Sequence, residues 1–309
     1  SYAYDSLYGA YLKSHYPLEY YTVALNYYIG DEDRTNKLID ELPKFGLKLN
    51  PIKFRFSTDK YNCDKENNEI YKGIESIKYL NSEVAKEMYK LRNNHYASFI
   101  ELLYELKENT SLDARQLNIL IDLDFFSEFG NVNYLRHIYN IFDKFGKVKQ
   151  VKKDSLKDLG IDENVVRGCA GKETEKMFMQ INARSLIEAL TKDIHEPDRK
   201  LSERISTQVE HLGYIDIMDK QYDRMAVVVS LDTKYSPKLK MYSLKNGRTM
   251  DCKIQKKMFN RNKLSKGDIV VVIGTNYKPK SKKNDKGEWE PVPGTKELWL
   301  TGYRKLYDI

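Results

Sequence analysis

Asp122 and Asp124 flank a single leucine. Two carboxylates at that spacing share one face of a β-strand and can hold Mg²⁺. The residues before them carry a helical pattern instead, and on a helix positions i and i+2 face apart. No metal site is read there. His95, His137, His195 and His211 lack partners at ligand spacing and read as ordinary core or surface residues. Cys63, Cys169 and Cys252 are far apart, with neither metal spacing nor an even disulfide set, which fits a reducing compartment.

The other chemistry in the chain is cationic and aromatic. Lys234, Tyr235, Lys238, Lys240 and Tyr242 come first, then Lys253, Lys256, Lys257 and Arg261. Lys278, Lys280, Lys282, Lys283 and Trp289 follow on a long loop. Lysines can track a phosphate backbone, and interleaved aromatics give bases a surface to stack on. Residues 225–309 hold 19 Lys+Arg against 8 Asp+Glu, and the remaining residues 33 against 37, so the net +7 arises in this one module. The expectation is a nucleic-acid surface there rather than lysines that merely keep a small barrel soluble. Lys238, Lys240 and Tyr242 share a strand face at spacing two, expected outward with Leu239 and Met241 inward.

The elements that must position these residues are short strands. Met225–Leu231, Leu239–Leu244, Thr249–Ile254, Ile269–Ile273 and Leu298–Tyr303 alternate or run apolar between turn residues. Asn246-Gly247 and Lys266-Gly267-Asp268 mark turns, and a short helix is expected near Lys257–Asn262. Five strands with a helix before the fourth predict a barrel of the OB type. Upstream, apolar spacing predicts helices over Leu18–Ile29, Asp31–Phe45, Ser82–Asn94, Phe99–Leu106, Ala114–Asp122, Asn133–Phe145, Met177–Leu190 and Lys200–Leu212. Asp31 or Asp33, Ser82 and Asp113 are the expected N-caps, with Gly46 as a stop. Lys147, Lys149, Lys152 and Lys153 read as a solvated linker. The fold class is therefore α+β, with several domains: a mostly helical first two-thirds and a C-terminal five-stranded barrel. No apolar run reaches the about 20 residues that a membrane span needs. With no signal-like start, a cytoplasmic location is expected, and the beginning at Ser1 suggests a chain cut from a longer one.

A family resemblance runs along the same order. Tyr11-Leu12-Lys13-Ser14-His15-Tyr16-Pro17-Leu18-Glu19, within the run from Ser1 to Tyr20, resembles the end of the fingers in the alpha subunit of bacterial DNA polymerase III. Gly46-Leu47-Lys48-Leu49-Asn50-Pro51 and Glu69–Lys78 resemble that family's next segments, the second of which opens a helix-hairpin-helix unit. The family's glycine-valine-glycine hairpin reads Tyr79-Leu80-Asn81 here, and Asn81 tolerates the left-handed conformation such a turn needs. Asp122-Leu123-Asp124-Phe125 occupies the family's non-catalytic glycine-alanine-phenylalanine turn. Glu210-His211-Leu212-Gly213-Tyr214 resembles the helix that leads into its OB module.

The resemblance implies a C-terminal, DNA-holding part of a C-family replicative polymerase. Its expected domains are a fingers tail (1–56), a helix-hairpin-helix region (57–130), a helical linker (131–222) and an OB domain (223–309). It adds Lys78, Asn81, Ser82 and Lys86 as hairpin contacts to DNA. It implies no cofactor in this segment, because the family's Mg²⁺ ions sit on palm aspartates, and no catalysis by the segment alone. DNA is the expected partner, as single-stranded template and primer–template duplex, with a sliding clamp and other replisome subunits further candidates. Gln116-Leu117-Asn118-Ile119-Leu120 weakly resembles a clamp-binding motif, but its leucines read more simply as a helix core. Two alternatives stay open: a stand-alone single-strand-binding accessory protein, and an Mg²⁺ enzyme built on Asp122 and Asp124.

Overall fold

The computed structural model describes residues 2–284 and 286–307, with side chains from Tyr4 onward. Ser1, the first residue of the run that resembles the fingers, lies outside the described residues, as do Asp308 and Ile309 at the end of the expected OB domain. In chain order the elements are α1 (Tyr2–His15), α2 (Pro17–Tyr27), α3 (Glu32–Glu41), β1 (Lys48–Asn50), β2 (Asn62–Asp64), β3 (Glu69–Tyr71), α4 (Ser82–Leu91), α5 (Phe99–Asn109), α6 (Ala114–Asp122) and α7 (Val132–Phe145). Then come β4 (Gln150–Lys152), α8 (Lys153–Asp158), α9 (Glu163–Cys169), β5 (Ala170–Glu173), β6 (Met177–Ile181), α10 (Ala183–Thr191) and α11 (Leu201–Leu212). The last are β7 (Met225–Asp232), β8 (Lys238–Ser243), β9 (Thr249–Ile254), α12 (Lys256–Arg261), β10 (Ile269–Lys278), β11 (Ser281–Lys283), β12 (Trp289–Pro291) and β13 (Glu297–Leu306). They form two compact units, 1–30 with 48–199 and 31–47 with 200–309. This division cuts across the four segments expected from the sequence: 31–47 and 200–222 go with the barrel.

In the first unit the helices pack on an aromatic centre. Phe54, Phe99, Phe125 and Phe126 are buried, and Phe126 meets the other three at ring distances of 5.8, 5.4 and 4.9 Å. Aromatic pairs at such distances add to the stabilisation from buried area. A small sheet, β1-β3-β2, lies before α4 in the chain, with β1 parallel and β2 antiparallel to β3. A second sheet, β4-β6-β5, lies within the region expected to be a mostly helical linker. Met177–Ile181 is a strand, and the helix starts only at Ala183, capped by Asn182, whose side chain accepts from the Ser185 N–H. Gln180 has φ 52°, which breaks the strand's alternation. Phe178 and Ile181 are consequently both buried at a spacing of three and imitate a helical face.

In the second unit the strand order β7-β8-β9-β13-β10 closes on itself. Counted as five strands, first neighbours second, second neighbours third, third neighbours fifth, fifth neighbours fourth, and fourth returns to first. Antiparallel pairs dominate, and β13 runs parallel to β9 with Trp299 beside Lys253. Gly247 (φ 69°) and Gly267 (φ 91°) make the turns expected of them. Ala226, Val228, Leu239, Met241, Cys252, Ile254, Val270 and Leu300 fill the barrel, and Phe259 of α12 packs on them. A second cluster lies on the outer side of the wall: Val227, Tyr242, Leu244 and Ile269 against Leu201 and Ile205 of α11 and against Ile215 and Ile217.

Candidate nucleic-acid interface

An open groove of about 740 Å³ lies over the barrel at the ends of its strands. Its apolar floor includes Leu231, Leu239 and Leu298, and Lys238, Lys240, Lys253, Lys280 and Lys296 stand around it with Tyr277. Three acids share the lining, Asp232, Asp251 and Glu297. Two of the lysines are engaged: Lys253 pairs with Glu297 at 2.5 Å, and Lys240 with Asp40 of α3 at 2.6 Å. The structure thus brings together Lys238, Lys240, Lys253 and Lys280 from the sequence-derived set. Lys278 stands 4.9 Å and Lys253 5.7 Å from the ring centre of Trp299, a spacing suited to cation–π contact.

The rest of the set lies outside the groove lining. Lys234 and the exposed Tyr235 occupy the β7–β8 connection, with the ammonium 5.8 Å from the ring. Lys282, Lys283 and Trp289 are on the β11–β12 hairpin, where Trp289 is 68% exposed and Lys283 stands 5.8 Å from its ring. Lys256, Lys257 and Arg261 ride on α12. Sequence reasoning missed Lys296, Tyr277 and Trp299. Strands β10 and β13 run to Lys278 and from Glu297, longer than the apolar runs that announced them. A period-2 continuation through polar residues was the available signal.

Tyr242 is a correction. It is only 7% exposed, and its hydroxyl donates to the Ile217 carbonyl. Burial, chiefly, pushes its phenol far up, and the charges of Asp216 and Asp40 add to this. Its face of β8 is indeed the outer one, but α11 and Ile215–Ile217 cover that end of it. It has no surface left on which a base could stack.

The hairpin between Ile77 and Ser82 also departs from expectation. The left-handed residue is Tyr79 (φ 72°), while Asn81 is extended and caps α4 by accepting from the Val84 N–H at 2.9 Å. Ser82, expected as the cap, is the first helical residue. Its hydroxyl donates to Asp59 at 2.9 Å, and the Lys86 ammonium lies 3.5 Å from the same carboxylate. Burial pushes Asp59 up, but the Ser82 hydrogen bond and the Lys86 charge outweigh it and hold the carboxyl below its ordinary range. Arg115, which the sequence reading passed over, approaches from the first turn of α6. The capping box of Asp113 and Gln116 fixes that turn, and Gln116 Nε2 donates to the Tyr79 carbonyl at 3.0 Å.

The carboxylate pair is divided. Asp122 ends α6 and receives Arg136 at 2.6 Å, whereas Asp124 sits in a left-handed turn (φ 59°) with Arg199 at 3.9 Å. Among the described residues no group of three or more metal-ligating side chains gathers anywhere. Gln116, Leu117, Ile119 and Leu120 are buried in α6, so that run is helix core rather than an exposed peptide motif. Among the described residues no helix is long and apolar enough to cross a membrane.

A helical region with a hairpin at 77–82 and a closed five-stranded barrel together define an α+β protein. Residues 46–134 match a family model described as a helix-hairpin-helix motif. Similar curated proteins include the DNA polymerase III subunit alpha of Ureaplasma parvum, 25% identical over 198 residues that cover 60% of this chain and 19% of that protein. The same subunit from Campylobacter jejuni is 23% identical over 54% of this chain and 14% of its own length. That from Bacillus subtilis is 26% identical over 39% of this chain and 11% of its own length. Over these stretches the chain is similar to part of the DNA polymerase III alpha subunit. It spans about a fifth or less of the length of these relatives.

Proposed function

We propose that this chain holds DNA for a C-family replicative polymerase, in the cytoplasm. The barrel, read as an OB fold, takes single-stranded template in its groove, and the hairpin region takes primer–template duplex. The observation that carries this is the convergence of Lys238, Lys240, Lys253, Lys280 and Lys296 on one groove of a barrel whose strand order is 1-2-3-5-4. Such a groove can follow a phosphate backbone, while Tyr277 and Trp299 beside it offer π-faces. Nucleotidyl transfer is not assigned to this chain, since Asp122 and Asp124 are held apart by separate arginines. On this reading the lysines and rings make the contacts with DNA, and binding without a metal ion is expected. Contacts with a sliding clamp or other replisome subunits would belong to the whole polymerase.

Titrating the chain with a labelled single-stranded oligonucleotide in EDTA tests the reading. Binding should persist in EDTA, and log K should fall with log[salt] at about 0.7 per phosphate neutralised. Absence of binding at low salt would remove the reading.

A further inference from the structure

Tyr79 occupies a backbone conformation that glycine adopts freely and a tyrosine resists (φ 72°). Burial does not hold it there, since it is 47% exposed. What it meets instead is charge. The Arg115 guanidinium carbon lies 3.4 Å from its ring centre and the Lys78 ammonium 5.2 Å. Both sides of the Tyr79–Arg115 contact are anchored: Gln116 Nε2 donates to the Tyr79 carbonyl, and the Asp113–Gln116 capping box fixes the turn that carries Arg115. Hydrogen bonds from Lys78 and then Arg115, with their charges, push the phenol below its ordinary range. Neither cation is among the described ion pairs with a carboxylate. A guanidinium lying over a ring keeps N–H donors at its edge, where a phosphate can be met bidentately.

We propose that Lys78 and Arg115 clamp one phosphate of duplex DNA, with Tyr79 as the platform that positions Arg115. The hairpin then grips through side chains, whereas a glycine hairpin would let backbone amides approach. The bulk of Tyr79 stands in the way of that closer approach. This inference rests on the DNA-holding function proposed above and names residues of its own: Arg115 as a contact, Tyr79 as a positioning residue.

Fluorescence anisotropy of the full chain with a duplex and a single-stranded oligonucleotide, at several salt concentrations, tests it. Lys78→Gln and Arg115→Gln should each weaken duplex binding about tenfold, as loss of a charged hydrogen bond does. The double variant should flatten the duplex salt slope by about 0.9. Single-strand affinity should not move. Tyr79→Gly should also lose duplex affinity while its melting temperature holds or rises, because glycine accepts the backbone angle. A purely structural tyrosine would not separate the two readouts. Duplex binding equal to or tighter than the parent in Tyr79→Gly would show an amide grip and overturn the clamp. If both oligonucleotides bind and neither cation variant changes duplex affinity, the clamp falls and the DNA reading stands. If neither oligonucleotide binds the parent chain, both fall.

Discussion

Two tyrosines, one in each unit, reverse what their positions in the sequence suggest. Tyr242 lies on a strand face shared with lysines, yet it is buried beneath α11 and bonded to the Ile217 carbonyl. Tyr79 stands where the resemblance would place a glycine hairpin, yet it is half exposed and flanked by two cations. The difference lies in what covers each position. Period-2 alternation states which side of a barrel wall a residue occupies, and says nothing of whether a helix lies over that side. At the hairpin α6 brings Arg115 against the Tyr79 ring and Gln116 onto its carbonyl, yet the side chain stays about half exposed, open to solvent or a ligand.

The largest expected effect falls on the buried member. Tyr242→Ala should destabilise the barrel unit by about 3–5 kcal/mol, the usual cost of emptying a large aromatic site. Affinity per folded molecule for single strands should stay unchanged. Thermal melts beside oligonucleotide titrations read both quantities, and the comparison breaks if affinity falls while the melting temperature holds. Next in size is the groove. Replacing Lys238, Lys280 and Lys296 together by Gln should flatten the single-strand salt slope by about 2 if each meets one phosphate. None of these lysines is in a described ion pair, although the charge of Lys280 acts on Glu297, so the fold should tolerate their loss. An unchanged slope would move the binding surface elsewhere, with the β11–β12 hairpin as the next place to look.

The difference between the two tyrosines also marks what the sequence could show. Barrel strands, both glycine turns and the helix before β10 were legible, because alternation and turn chemistry are local. The caps Asp31 and Asp113 were legible for the same reason. The cover over Tyr242 was not, since α11 lies some thirty residues upstream and its contact with β8 leaves no local mark. Tyr277 stayed hidden because β10 continues past its apolar run, and Lys296 because it sits in the connection just before β13. Met177–Ile181 passed for helix because one left-handed residue, Gln180, changed the spacing of buried positions from two to three. Arg115 was hidden in another way: its role depends on a turn that brings α6 to the hairpin, which spacing along one helix cannot express.

A smaller effect separates the groove lysines outside any described ion pair from Lys240, one of the two that are already paired. Asp40 holds Lys240 at 2.6 Å, within the barrel unit, and both side chains are partly exposed. A pair this exposed adds only about 0–1 kcal/mol to stability. Asp40→Ala should therefore leave the fold nearly unchanged while releasing Lys240 to the groove. The single-strand slope should steepen by about 0.7, with a few-fold gain in affinity at low salt. No gain would mean that Lys240 serves the α3 contact and takes no part in the groove.

The smallest effect returns to the hairpin, whose geometry depends on Asp59. Its carboxylate accepts from Ser82 and lies near Lys86, so it ties the start of α4 to residue 59. Its folded-state pKa is held below the ordinary 3.8, the favourable Ser82 and Lys86 contributions exceeding the opposing effect of burial. A depressed carboxylate pKa means that the unfolded chain binds the proton more readily than the folded one. The stabilisation is thus present in full above the unfolded pKa and is lost as pH falls through the folded value. Asp59→Asn should melt lower than the parent at neutral pH, and the gap should close on acidification below about pH 4, where the parent's carboxyl protonates. Paired melts of the two proteins between neutral pH and pH 3 measure that gap. A constant gap would mean that Asp59 acts through shape rather than charge. The Tyr79 turn would then be held by Gln116 and the α4 cap alone.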